Sequence, residues 1–94
     1  MARRNEQIEA EWSAYSQRFA TSLRSARERA GLSQEDVAYR AGLTRYTYQK
    51  YEKGESRPGS PANPTLRTLL ALAQVLDLPL ASLIPADVPD LRAR

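Results

Sequence analysis

The chain has 94 residues, which is one domain at most and enough for one small core. It has no Cys and no His, which excludes a disulfide staple, a Cys nucleophile, a Ser-His-Asp triad and most zinc sites. Hydrophobic residues at 41 % suffice for folding, and 14 basic residues against 11 acidic ones give net +3 and a pI near 9.6, a balance that favours an anionic partner over chemistry.

Residues 6–30 contain no Gly or Pro, and Ile8, Trp12, Tyr15, Phe19, Leu23 and Ala26 recur at the period of an amphipathic helix. Gly31 stops it, after Arg27 and Arg29 at the negative end of the dipole. Ser13 and Ser16 are candidate breaks, so the first half is either a separate helix or a continuous extension. Ser33 opens a second helix with Glu35 and Asp36 in its first turn and Val37, Ala38 and Ala41 as its apolar face. Gly42 ends that helix. Thr44 caps a third helix with apolar Tyr48 and Tyr51, which ends at Gly54.

Residues 55–62 hold two prolines and a glycine and are expected to be irregular. Asn63 and Pro64 read as N-cap and first residue of a fourth helix whose core face is Leu66, Leu69, Leu70, Ala73 and Leu76. On that reading Leu72 lies off the core face. A short fifth helix covers residues 80–84, Pro85 ends it, and residues 86–94 are expected to form a flexible tail. No segment alternates at period two for long enough to suggest a strand. No apolar run approaches the roughly 20 residues that span a bilayer. The basic start, Met1-Ala2-Arg3-Arg4, is followed by no apolar segment of the signal-peptide kind, so a cytoplasmic, nucleoid-associated protein is expected.

Two short helices around a Gly-containing turn make a helix-turn-helix unit. Residues 34–53 read QEDVAYRAGLTRYTYQKYEK. Ala38 is small where a third helix would cross closely, and Gly42 sits where the turn favours positive φ. Val37, Leu43, Tyr48 and Tyr51 supply apolar contacts. Together with Gly31-Leu32-Ser33-Gln34 before the unit, Tyr51-Glu52-Lys53-Gly54-Glu55 after it and the leucines of the fourth and fifth helices, this stretch resembles the lambda-repressor-like (Xre-type, Cro/CI-like) helix-turn-helix transcriptional regulators over residues 19–85. The implied fold is all-α: five helices with an N-terminal helical extension over residues 1–18. Tyr48 departs from the usual Ile or Val and requires a partner for its hydroxyl or a path to solvent. The loop after the third helix is longer than usual.

The resemblance implies that the helix over residues 44–53 enters the major groove of double-stranded DNA. Arg45, Tyr46, Lys50 and Thr47 would then reach base edges, Arg45 with the geometry for guanine O6 and N7. Gln34, Ser33, Thr44, Gln49, Lys53, Gly54, Arg57 and Arg24 would meet phosphates, with local capping as the other role open to Ser33, Thr44 and Gln49. Arg27 and Glu52 would form a structural ion pair that holds the third helix at its angle. Residues 13–76 carry ten basic and five acidic residues, net +5, so the middle of the chain is more basic than the whole. The excess of Arg, 12 against 2 Lys, fits phosphate or guanine contact and equally a GC-rich coding sequence.

No catalytic residue, metal or cofactor is expected. The main reading is a sequence-specific regulator of the repressor type, and the alternative is an antitoxin that binds its operator and a toxin protein. A homodimer is expected, with Ile8, Trp12 and Tyr15 of the extension as one contact; the other reading is that they enlarge the core of a monomer.

Overall fold

The computed structural model describes residues 5–92. Residues 1–4, the head of the expected extension, and 93–94, the end of the expected tail, lie outside the described residues. The chain runs α1 (Asn5–Arg29), α2 (Gln34–Arg40), α3 (Arg45–Lys53), β1 (Glu55–Arg57), β2 (Ser60–Pro61), α4 (Leu66–Val75) and α5 (Leu80–Leu83). Among the described residues the fold is thus five helices with one small two-stranded sheet. No helix among the described residues is long and apolar enough to cross a membrane.

α1 is a single unbroken helix of 25 residues. Ser16 does not break it, because its buried hydroxyl finds partners across the molecule rather than in its own helix: it donates to the carbonyls of Ala62 (2.9 Å) and Gly54 (3.3 Å). Phe19, Leu23 and Ala26 carry the apolar stripe into the core beside Val37, Ala38, Tyr48, Leu72, Ala73, Leu76 and Leu83. α1 packs on α3, on β2 and on α5, so it is the spine against which the helix-turn-helix and the hairpin are set. Tyr15 is also buried, and its hydroxyl donates to the Pro85 carbonyl at 2.8 Å. Trp12 stacks on Tyr15 with ring centroids 6.1 Å apart. The upper part of the expected dimer stripe is therefore partly used within the chain, while Ile8 and Trp12 stay half-buried.

α2 starts on a capping box: the Ser33 hydroxyl accepts from the Asp36 N–H (3.0 Å) and the Asp36 carboxylate accepts from the Ser33 N–H (3.1 Å). Those bonds hold the Asp36 carboxyl below its ordinary value. The turn to α3 passes through Gly42 at φ 74°, a conformation that strains other residues. Thr44 caps α3 as expected, by accepting from the Thr47 N–H at 3.0 Å.

Three expectations are corrected. Residues 55–61 are not irregular: β1 and β2 pair antiparallel, Glu55 with Pro61 and Arg57 with Ser60. The punctuating residues permit this because Pro58 and Gly59 occupy the turn, and Pro61 lies on a two-stranded edge where its missing N–H breaks no ladder. The cap of α4 is Thr65, whose hydroxyl accepts from the Thr68 N–H, not Asn63. The core face of α4 is also turned. Leu72 is 0 % exposed, with Ala73 and Leu76 beside it, whereas Leu66 and Leu70 are 65 % and 43 % exposed. α4 is apolar on nearly every side, so its period admits more than one stripe and only packing against α2 and α5 selects one.

Candidate nucleic-acid interface

α3 has two unlike faces. The inward face is organised around a buried carboxylate. Glu52 accepts from Arg27 Nε (2.6 Å) and Nη2 (3.1 Å), from Gln34 Nε2 (3.1 Å) and from the Tyr48 hydroxyl. Arg27 Nη1 also donates to the Leu32 carbonyl at 3.0 Å, which ties the end of α1 to the entry of α2. One carboxylate thus joins α1, α2 and α3. Burial alone would raise the Glu52 carboxyl, but the bonds from Arg27, Tyr48 and Gln34 outweigh it and hold the group below its ordinary value. The Glu52 hydrogen bond holds the Arg27 guanidinium above its own. Tyr48 is wholly buried, and burial first, then the bond to Glu52, raises its hydroxyl. This is the partner that the departure from Ile or Val demanded.

The outward face begins with Arg45, exposed at the first residue of α3. Tyr46 follows at 69 % exposure, and Lys50 Nζ sits 4.4 Å from the centre of its ring. These two side chains brace each other one turn apart. The N-terminal end of α3 therefore offers a guanidinium, a phenol and an ammonium with no part in the core. Such a set can donate to guanine edges and to phosphate oxygens.

Other expected contacts are placed differently. Thr47 is half-buried and drawn into the cap, where its hydroxyl accepts from the Thr44 hydroxyl at 3.0 Å. Gln49 Nε2 donates to Gln34 Oε1 at 3.3 Å, so the two amides face each other between α2 and α3 and continue the line to Glu52. Ser33 spends its hydroxyl on the capping box. Lys53 is exposed, and its carbonyl accepts from Gln17 Nε2 at 3.2 Å. Gly54 caps α3 at φ 80°, and a Cβ there would stand 2.5 Å from the Gln17 amide, so this end of α3 is pressed against α1. Arg57 is exposed on β1 and donates from Nε to the Ser60 hydroxyl at 3.3 Å. Arg24 is exposed on α1, away from the α2–α3 unit in the chain.

Two positioning residues went unassigned at the level of sequence, Ser16 and Gln17. Ser16 had a legible signal: it shares a helical face with Phe19, Ala20 and Leu23, where a polar side chain must find a buried partner. Among the described residues, no group of three or more His, Cys, Asp or Glu is placed to hold a metal ion.

Residues 18–83 match the model of a helix-turn-helix domain family. No curated protein matches the chain. Among solved structures, the restriction-modification controller protein C.AhdI from Aeromonas hydrophila is similar at 34 % identity and a TM-score of 0.67; the likeness covers 76 % of this chain and 98 % of that one.

Proposed function

Because the chain belongs to the lambda-repressor-like helix-turn-helix family of DNA-binding regulators, we propose that it recognises a specific duplex sequence through α3 and represses transcription there. The observation that carries this reading is the division of α3. Its inward face is anchored to α1 and α2 through Glu52, and its outward end presents Arg45 and Tyr46 to solvent with the half-buried Lys50 over the Tyr46 ring. Arg45 pairs with a guanine, Lys50 and Tyr46 with a neighbouring base or phosphate, and Lys53 and Arg57 with phosphates beyond the groove. Gln34, at the start of α2, meets a phosphate through whatever donor its bonds to Glu52 and Gln49 leave over.

A homodimer completes the proposal, because one small module binds weakly and two half-sites roughly 34 Å apart are read together. Ile8 and Trp12 of α1 remain the expected contact, and the exposed Leu66 and Leu70 offer a second apolar surface. Sedimentation of the protein, free and on a two-half-site duplex, decides this; a monomer in both refutes the dimer. The likeness to a controller protein supports gene control over toxin masking.

The function is tested by incubating the protein with a random duplex pool and sequencing what stays bound. A single enriched motif is the expected result. An unenriched pool overturns sequence-specific recognition.

A further inference from the structure

The hairpin that replaces the expected irregular loop stands beside α3, and a groove of about 220 Å³ opens between them. Tyr46, Gln49, Lys50 and Lys53 form its α3 wall, and Ser56 and Arg57 belong to its hairpin wall. Cations thus stand on both sides. Glu55, the acid of the groove, accepts the Gly59 N–H at 3.2 Å and is turned to holding the hairpin turn.

The hairpin is also firmly placed. Its strands are linked by the Ser56 hydroxyl to the Ser60 carbonyl and by Arg57 to the Ser60 hydroxyl. At its base the Ala62 N–H donates to the Gly54 carbonyl at 3.0 Å, and the buried Ser16 hydroxyl bonds both carbonyls that close the hairpin. Gln17 holds the preceding carbonyl, that of Lys53. The wall opposite α3 is therefore set by α1 rather than free to swing.

We propose that the groove between α3 and the β1–β2 hairpin clasps one phosphodiester strand of duplex DNA, so that the hairpin is a second DNA-binding element lying outside the major groove that α3 enters. This rests on the reading of α3 as the recognition helix. A strand seated there has Lys50 and Lys53 on its major-groove side and Arg57 on its far side. Its anionic charge is met by three cations, and a preset cationic cleft needs no reordering to receive it. The contact is with phosphate and sugar, so it adds affinity and length to the footprint without adding base preference.

The test uses the full chain and a duplex taken from the bound fraction of a random pool. For Arg57→Ala the expected results are a salt slope lower by about one and a similar loss of affinity on preferred and scrambled duplexes. Hydroxyl-radical protection is lost only at the edge of the footprint, and guanine N7 protection is unchanged. Because the chain has no cysteine, Ser56→Cys gives one attachment point for a tethered iron chelate, and cleavage is expected on the strand flanking the recognised groove. Arg57→Ala with the parent's unfolding midpoint, salt slope and footprint overturns the clasp, as does a tethered chelate that cuts no flanking strand. A parent that leaves every guanine N7 unprotected overturns the recognition helix as well, which separates the two failures.

Discussion

The two faces of α3 obey opposite rules. Inward, Tyr48 and Glu52 are buried and every polar atom of the carboxylate is engaged by donors from three helices. Outward, Arg45 and Tyr46 are exposed, and Lys50 sits over the Tyr46 ring. The contrast teaches how a helix of nine residues, too short to be stable alone, can serve as a rigid probe. Its orientation comes from a desolvated charge that tolerates one geometry, and its chemistry from side chains that the fold does not need.

If that division holds, substitutions on the two faces separate stability from binding. The largest effect is expected from Glu52→Ala, which strands the Arg27 guanidinium against the core. Unfolding by denaturant should show a loss of about 3–5 kcal/mol, and a loss under about 1 kcal/mol would mean that the carboxylate is not the anchor. Tyr48→Phe removes one donor and keeps the ring, so about 1.5–3 kcal/mol of stability should go. A fully stable Tyr48→Phe protein would show that Arg27 and Gln34 suffice. Arg45→Ala should weaken binding to the preferred duplex by about 1–3 kcal/mol while the unfolding free energy stays within about 0.5 kcal/mol of the parent. A matching loss of stability would erase the difference between the faces.

The smallest effect is that of pH. Glu52 titrates below its ordinary value in the folded protein, so its contribution is complete above the unfolded pKa of 4.5 and fades as pH falls through the lower folded value. The stabilities of the parent and of Glu52→Gln should therefore differ by a constant amount above about pH 4.5 and draw together as the pH falls below it. Parallel curves would indicate that the carboxylate has the same affinity for a proton folded and unfolded.

Much of this arrangement was legible in the residues. The period of α1, the caps Ser33 and Thr44, the Gly42 turn and the order of the helices led to the fold, and the family resemblance they carry implied the pair of Arg27 and Glu52. The demand of Tyr48 for a hydroxyl partner was also readable, although Glu52 as that partner emerges only from three dimensions. α4 shows why other parts were not. Leucines lie on almost all its sides, so Leu66 and Leu70 satisfied the helical period as well as Leu72 does, and the choice belongs to neighbours distant in sequence. The hairpin was hidden for a related reason. Pro58, Gly59 and Pro61 look like breakers one at a time, and only their placement in a turn and on an edge strand makes them compatible with pairing. Ser16 belongs to the same class, since the carbonyls that explain it are 38 and 46 residues away.

The central claim is that the outward face of α3 reads bases. It is tested most directly by selecting bound sequences from one random duplex pool with the parent and with Arg45→Ala. The account predicts one motif for both proteins, with the preference for guanine relaxed at a single position, or at its symmetry mate in a two-half-site motif, in the variant. An identical motif with undiminished preference at every position would contradict it.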